Sequence, residues 1–309
     1  MGELKSTREG FGEGVVEVGR NNPNVVVLTA DLGESLKLDG FIKEFPERFF
    51  ECGVAEQNMM GVAAGMALSG KIPFVCSFAV FSPTRAMDQI RVSVCYSNLP
   101  VKIIGGHAGL ITGEDGASHQ ALEDIAMMRV LPNMTVLVPA DYFEAKKAVK
   151  ESLKINGPVY IRLTRPKTEI ITKESDEFKI GKASILKTGN SVTVISCGPI
   201  LGNVLKACEG IDSEIINCST IKPIDRETII LSAKKTGRVV TVEEHQIYGG
   251  LGGAVAEVLG QNCPVPLDIV GVNDTFGESG KSEELLEKYG LGITNINERI
   301  KLITGRARA

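Results

Sequence analysis

Residues 105–123, GGHAGLITGEDGASHQALE, gather five glycines, three carboxylates and two of the chain's three histidines into one stretch. His107, Asp115 and His119 are groups that can take up, release or share a proton near neutral pH. The stretch has little helical or strand periodicity, so it buries little apolar surface and its polar residues need another reason to be there. The plain alternative is a flexible glycine-rich surface loop. A strand-like run, VKII (Val101 to Ile104), leads in, and a helix-like run, ALEDIAMM (Ala121 to Met128), leads out. That order sets the stretch at the carboxyl edge of a parallel sheet, where α/β proteins hold ligands.

Four further segments carry candidate chemistry. In ECGVAEQNMMGVAAGMALSG (Glu51 to Gly70) a helix apolar on every face follows Gly53, and burial on all sides is expected of it. Glu56 falls in its first turn. It either complements the helix dipole, worth at most about 1 kcal/mol, or is a partly desolvated carboxyl able to share a proton with a ring nitrogen. Burial of the helix favours the second reading. In SFAVFSPTRAMDQIR (Ser77 to Arg91), Phe78 and Phe81 follow a strand directly. They are core fillers or an apolar face for a flat heterocycle. Arg85 is a solvated or ion-paired residue at the helix start, or a grip for an anionic group. Asp31 and Ser35, in ADLGES, and Arg165, after VYIRLT, reach the same sheet edge. Turn formation and capping account for Asp31 and Ser35 equally well.

These residues are positioned by alternating short β-rich runs and longer helical stretches, the pattern of parallel α/β architecture. The first unit has candidate strands at 25–30, 48–52, 72–77, 101–106, 134–140 and 159–164. Its clearest helices are at 55–68, 85–95 and 142–155. Residues 166–186, charged and opened by Pro166, read as a linker leading into a strand. A second unit follows, with strands at 192–196, 214–218, 238–244 and 266–272. Two α/β domains, 1–165 and 187–309, are expected. The cluster YGGLGGA (Tyr248 to Ala254) is not a GxGxxG pattern, and a tight strand-to-helix turn explains it without a nucleotide.

Bulk properties narrow the function classes. The chain of 309 residues has 43% hydrophobic and 23% charged residues, which are globular values, and a formal charge of −4. No basic run or interleaved aromatic stripe points to nucleic acid. No segment has the length of a membrane span, and the N-terminus lacks a signal-peptide core, so a cytoplasmic protein is expected. Seven scattered cysteines without a CxxC pair suggest reduced thiols, and no metal site is expected within the chain.

In this order, ADLGES, GVAEQNM, SFAVF, GHAGLITGEDGASHQ, RLTRP, VTVEEH with GGLGG, and FGESGKSEELLEKYG resemble the C-terminal half of transketolase over almost the whole chain. The resemblance implies a thiamine diphosphate pyrimidine-binding domain followed by a transketolase C-terminal domain. It implies transfer of a two-carbon ketol unit from a ketose phosphate to an aldose phosphate, in pentose phosphate metabolism. The GDG signature with its distant Asn pair, which in the family holds the diphosphate and a divalent metal (Mg or Ca), does not occur in this chain. A split enzyme is therefore implied. An N-terminal partner subunit would supply those sites, and the two chains would form a heterotetramer. Glu56 would bond the aminopyrimidine nitrogen, Phe81 would stack on that ring, Phe78 would line its pocket, and Asp31 would lie near the cofactor. His107, Asp115 and His119 would meet the sugar, both histidines assisting proton movement, while Ser35 and Arg165 would grip its phosphate.

One position departs from the full-length family, where an aromatic residue stands in place of Thr84. The helix there looks more like those of 1-deoxyxylulose-5-phosphate synthase and of the β subunit of 2-oxo acid dehydrogenases. Both remain alternatives, but the spacing of His107 and His119 favours sugar chemistry.

Overall fold

The computed structural model describes residues 3–305. Its first sheet has seven strands in the order Thr220–Lys222, Thr135–Leu137, Val159–Arg162, Lys102–Gly106, Ile72–Phe78, Val25–Thr29 and Phe49–Glu51. All neighbours run parallel except the first pair. The six strands expected in the first half all form, with the run 134–140 shortened to Thr135–Leu137. Thr220–Lys222 was not anticipated: a three-residue piece from the second half of the chain closes this sheet's edge. Val25–Thr29 is buried at every position, as expected of a strand with helices on both faces.

The second sheet has five strands in the order Leu267–Val272, Val239–Gln246, Val192–Ser196, Ser213–Asn217 and Ser184–Lys187, the last antiparallel. The protein is thus two α/β domains. One apolar cluster runs through both, from Leu28 and Ile103 to Val239 and Val255.

Two helices differ from the sequence expectation. Glu56–Leu68 buries Met59, Met60, Ala63, Ala64 and Ala67 but leaves its other face bare, with Val62 37% and Leu68 74% exposed. Its apolar circumference therefore exceeds what one chain covers. The single helix expected at 85–95 is broken into Ser82–Arg85, Met87–Gln89 and a π-helical turn, Ile90–Tyr96. Ala86, at φ −102° and ψ 18°, leaves helical geometry between the first two pieces.

The N-terminal helix Thr7–Asn21 starts from a reciprocal cap: the Ser6 side chain accepts from Glu9 N–H, and the Glu9 carboxylate accepts from Ser6 N–H. It lies so close to helix Tyr142–Ser152 that a Cβ on Gly10 would sit 2.1 Å from the Tyr142 carbonyl oxygen. Residues between the two sheets are tied down rather than loose. Thr168–Glu169 pairs with Leu4–Lys5. The buried Asp141 carboxylate accepts from the Ile171 and Thr172 amides, the Thr172 hydroxyl and the Glu144 amide. Next to it, Glu144 accepts from Ser219 Oγ at 2.6 Å and Asn217 Nδ2 at 2.8 Å, joining the domains.

Asp141→Ala leaves four donors unpaired in the interior and is expected to cost about 3 kcal/mol of unfolding free energy. Urea melts would measure it. A loss below about 0.5 kcal/mol, the range of ordinary surface changes, would show that the joint does not depend on this carboxylate.

Candidate active site

Strand Phe49–Glu51 ends in a turn organised by Glu51, whose Oε1 accepts from the Asp31 and Gly53 amides, each at 2.8 Å. The chain then enters helix Glu56–Leu68, and its first residue, Glu56, is only 4% exposed. A carboxylate so placed needs a partner. Arg85 provides one, with Nη1 at 2.9 Å from Glu56 Oε1. The same guanidinium lies over the Phe81 ring, 4.2 Å from its centroid, and Gln57 Nε2 holds the Arg85 carbonyl at 2.8 Å.

Phe81 belongs to a cluster of four rings. It stacks with Phe78 at 5.7 Å, and Phe78 stacks with His107 at 3.8 Å. His119 stands edge-on to both phenylalanines, at 6.1 and 5.3 Å. His107 has φ +53°, and its buried Nδ1 has no hydrogen-bond partner among the described residues. Burial, reinforced by Arg8, Arg165 and His119, lowers the His107 pKa to about 3. The ring is a neutral imidazole at physiological pH, with one nitrogen free to meet a ligand.

Beyond the rings, Arg165 Nη1 lies 3.3 Å from Asp115 Oδ1 and donates to the Thr112 carbonyl at 3.0 Å. Thr112 Oγ1 in turn donates to the His107 carbonyl at 2.6 Å. Arg8, from the N-terminal helix, is the charge that sequence reasoning missed. It donates to the Ser35 carbonyl at 2.8 Å, and burial followed by the nearby Arg165 lowers its pKa. Two cations close enough to oppose one another's charge favour an anion nearby.

The structure therefore brings Phe78, Phe81, His107 and His119 into contact, ties Glu56 to them through Arg85, and pairs Asp115 with Arg165. Ser35 joins only by its carbonyl, through Arg8. Asp31 stands apart: its carboxylate is exposed and has no partner among the described residues, and its backbone takes φ +58°. Beneath the loop, Arg162, at the end of strand Val159–Arg162, forms an ion pair with Asp124 at 2.9 Å, both groups buried. At the second glycine cluster, Glu243 fills the start of helix Leu251–Asn262, accepting from the Leu251 and Gly252 amides at 2.7 Å. A phosphate has no room in that position.

A family model described as the transketolase pyrimidine-binding domain matches residues 4–170, and one described as the transketolase C-terminal domain matches residues 181–296. The chain is 50% identical over 307 residues to a putative transketolase C-terminal section of Methanocaldococcus jannaschii, covering 97% of this chain and 96% of that one. It is 42% identical to the 6-deoxy-6-sulfo-D-fructose transketolase subunit of a Clostridium species, with 97% and 94% covered. Among solved structures it is similar to a split-gene transketolase described as an inactive β4 tetramer, at TM-score 0.90 and 49% identity, with 97% and 99% covered. The fold also matches a Campylobacter jejuni transketolase at TM-score 0.83 and 22% identity, covering 97% of this chain and 47% of that one. The chain belongs to the transketolase family and carries its pyrimidine-binding and C-terminal domains.

Proposed function

We propose that this chain is the C-terminal subunit of a split transketolase that moves a two-carbon ketol unit from a ketose phosphate to an aldose phosphate in the pentose phosphate pathway. The observation that carries the reading is Glu56, a carboxylate buried at the rim of the Phe78–Phe81 platform with a mobile type of partner, a half-exposed arginine. Glu56, Phe78 and Phe81 fit the pyrimidine end of thiamine diphosphate: an acceptor for a ring nitrogen and an apolar face for a flat ring. When bound, that cofactor supplies the acidic ring carbon and the electron sink. Asp31 completes the cofactor side at the mouth, and Arg85 swings toward solvent when the ring takes its place against Glu56.

The other residues act on the sugar. The neutral His107 ring, together with His119, binds sugar oxygens and passes protons. Asp115 accepts from a hydroxyl of the donor sugar. Arg165 and Ser35, with Arg8 behind them, hold the terminal phosphate. A terminal sulfonate offers similar oxygens, so relatives named for a sulfofructose and for apulose 4-phosphate suit the same anion grip. The diphosphate and its divalent metal belong to an N-terminal partner chain, and the assembly is a cytoplasmic heterotetramer. A 49%-identical relative described as an inactive β4 tetramer supports a subunit that self-associates and needs another chain for activity.

Three experiments test this reading. The chain, purified with and without the N-terminal subunit, is assayed with xylulose 5-phosphate plus ribose 5-phosphate, and with pyruvate plus an electron acceptor. Sugar transfer is expected only with both subunits and thiamine diphosphate; turnover by the chain alone, or activity with pyruvate only, would sink the proposal. In the complex, Glu56→Ala should lower kcat by at least about a hundredfold, whereas Arg165→Ala should raise KM for phosphorylated sugars about tenfold. An Arg165 variant that loses turnover at unchanged KM speaks against its role.

The third concerns protonation. The unfolded chain takes up a proton at His107 below about pH 6.5, but the folded chain does so only toward a pKa of about 3. Stability from this group is therefore present above about pH 6.5 and lost as pH falls below it. The imidazole NMR signal that disappears in His107→Gln should not titrate between about pH 5 and 8, and the variant should flatten the acid side of the stability curve. A midpoint near 6.5 for that signal would refute the neutral-ring role.

A further inference from the structure

Strand Val239–Gln246 carries two successive glutamates, and strand alternation sends them to opposite faces. Glu243 serves its own domain at the start of helix Leu251–Asn262. Glu244 turns to the other domain. It is buried; its Oε1 accepts from the Ile111 amide at 2.7 Å, and the Leu110 amide bonds the same carboxylate. Both amides open the turn Leu110–Asp115. Gly109, at φ +88°, permits this approach, since a Cβ there would lie 2.3 Å from Glu244 Oε1.

The anchor is itself braced. Arg162 donates to the Glu244 carbonyl at 2.8 Å and to the Ala121 carbonyl at 3.1 Å, while its ion pair with Asp124 fixes it from below. Two more grips come from the second domain. Ser282 Oγ donates to the Ile111 carbonyl at 2.9 Å, and the Glu278 carbonyl accepts from Gln120 Nε2, a first-domain amide that also donates to the Leu110 and Gly113 carbonyls. The turn so held bears Asp115 and the Thr112 carbonyl that receives Arg165. Glu56, Phe78 and Phe81 lie on other elements, and among the described residues the Glu56 carboxylate pairs with Arg85 and with none of these groups.

Resting on the transketolase reading, we propose that Glu244 is a positioning residue for the sugar-binding loop: from the C-terminal domain it locks the turn Leu110–Asp115, setting Asp115 and Arg165 while leaving the cofactor end unaffected. The C-terminal domain thereby becomes part of the substrate site without touching substrate. A residue that merely supports the fold would weaken cofactor and sugar binding together. A positioning residue separates them.

The test uses Glu244→Gln, which keeps the size but sets an amide donor against one of the two N–H groups, and Ser282→Ala, a milder cut on the same turn. In the full chain, hydrogen exchange of the Leu110 and Ile111 amides is expected to accelerate by about tenfold in Glu244→Gln and less in Ser282→Ala. In the complex with the partner subunit, KM for the sugar phosphates should rise about tenfold in Glu244→Gln, with thiamine diphosphate affinity unchanged within about twofold. Unchanged exchange at these amides, or equal losses of sugar and cofactor affinity in both variants, would overturn the proposal. If the wild-type complex transfers no ketol unit, the transketolase reading fails, and amide exchange alone then decides whether Glu244 anchors the turn.

Discussion

Taking a carboxylate out of water costs several kcal/mol unless a partner compensates, and the first domain is arranged around one such case. The Glu56 carboxylate, at the base of an apolar helix, is compensated by Arg85 at 2.9 Å. The break at Ala86 and the Gln57 bond to the Arg85 carbonyl present the guanidinium to both the acid and the Phe81 ring. One cation thus satisfies a buried charge and covers an aromatic face. Its own half-exposure keeps the arrangement exchangeable, which a fully enclosed pair would not be.

The opposite wall follows a different rule. Asp115 and Arg165 are placed by polar contacts through Thr112, whose hydroxyl also bonds the His107 carbonyl, while the His107 ring itself packs on Phe78. Such contacts hold geometry only when each member is braced. The bracing is supplied from the second sheet and from the buried Tyr160–Asp124–Arg162 group beneath the loop. The two domains therefore divide the work: the first sheet aims the strand ends, and the second steadies what leaves them.

Much of this was legible in the residues. Continuous β-branched runs marked strands such as Val25–Thr29 because both faces are covered, and the run of glycines and polar residues marked the loop after Lys102–Gly106, although that loop buries Ala108, Leu110 and Ile111 against both domains instead of lying on the surface. Glu56 was legible from a carboxylate at the head of an all-apolar helix. Less accessible were features fixed by distant partners. Nothing near Arg8 announces that it will stand against Arg165, nor does Thr220–Lys222 announce that it will cross to the other sheet. The break at Ala86 has no proline or glycine at that position to signal it. The pair Glu243–Glu244 reads as one acidic patch until strand alternation separates it.

Helix Glu56–Leu68 has one more property. Its 13 residues form a rod of about 20 Å, with the buried Glu56 carboxylate at one end and an uncovered leucine at the other. Along the bare side, Gly61 and Gly65 leave room for another backbone to come close. A neighbour pressing on that side would shift the acid as well, since a packed helix moves as a unit. Pressure on the bare side would thus be felt at the Glu56–Arg85 pair through a single rigid lever.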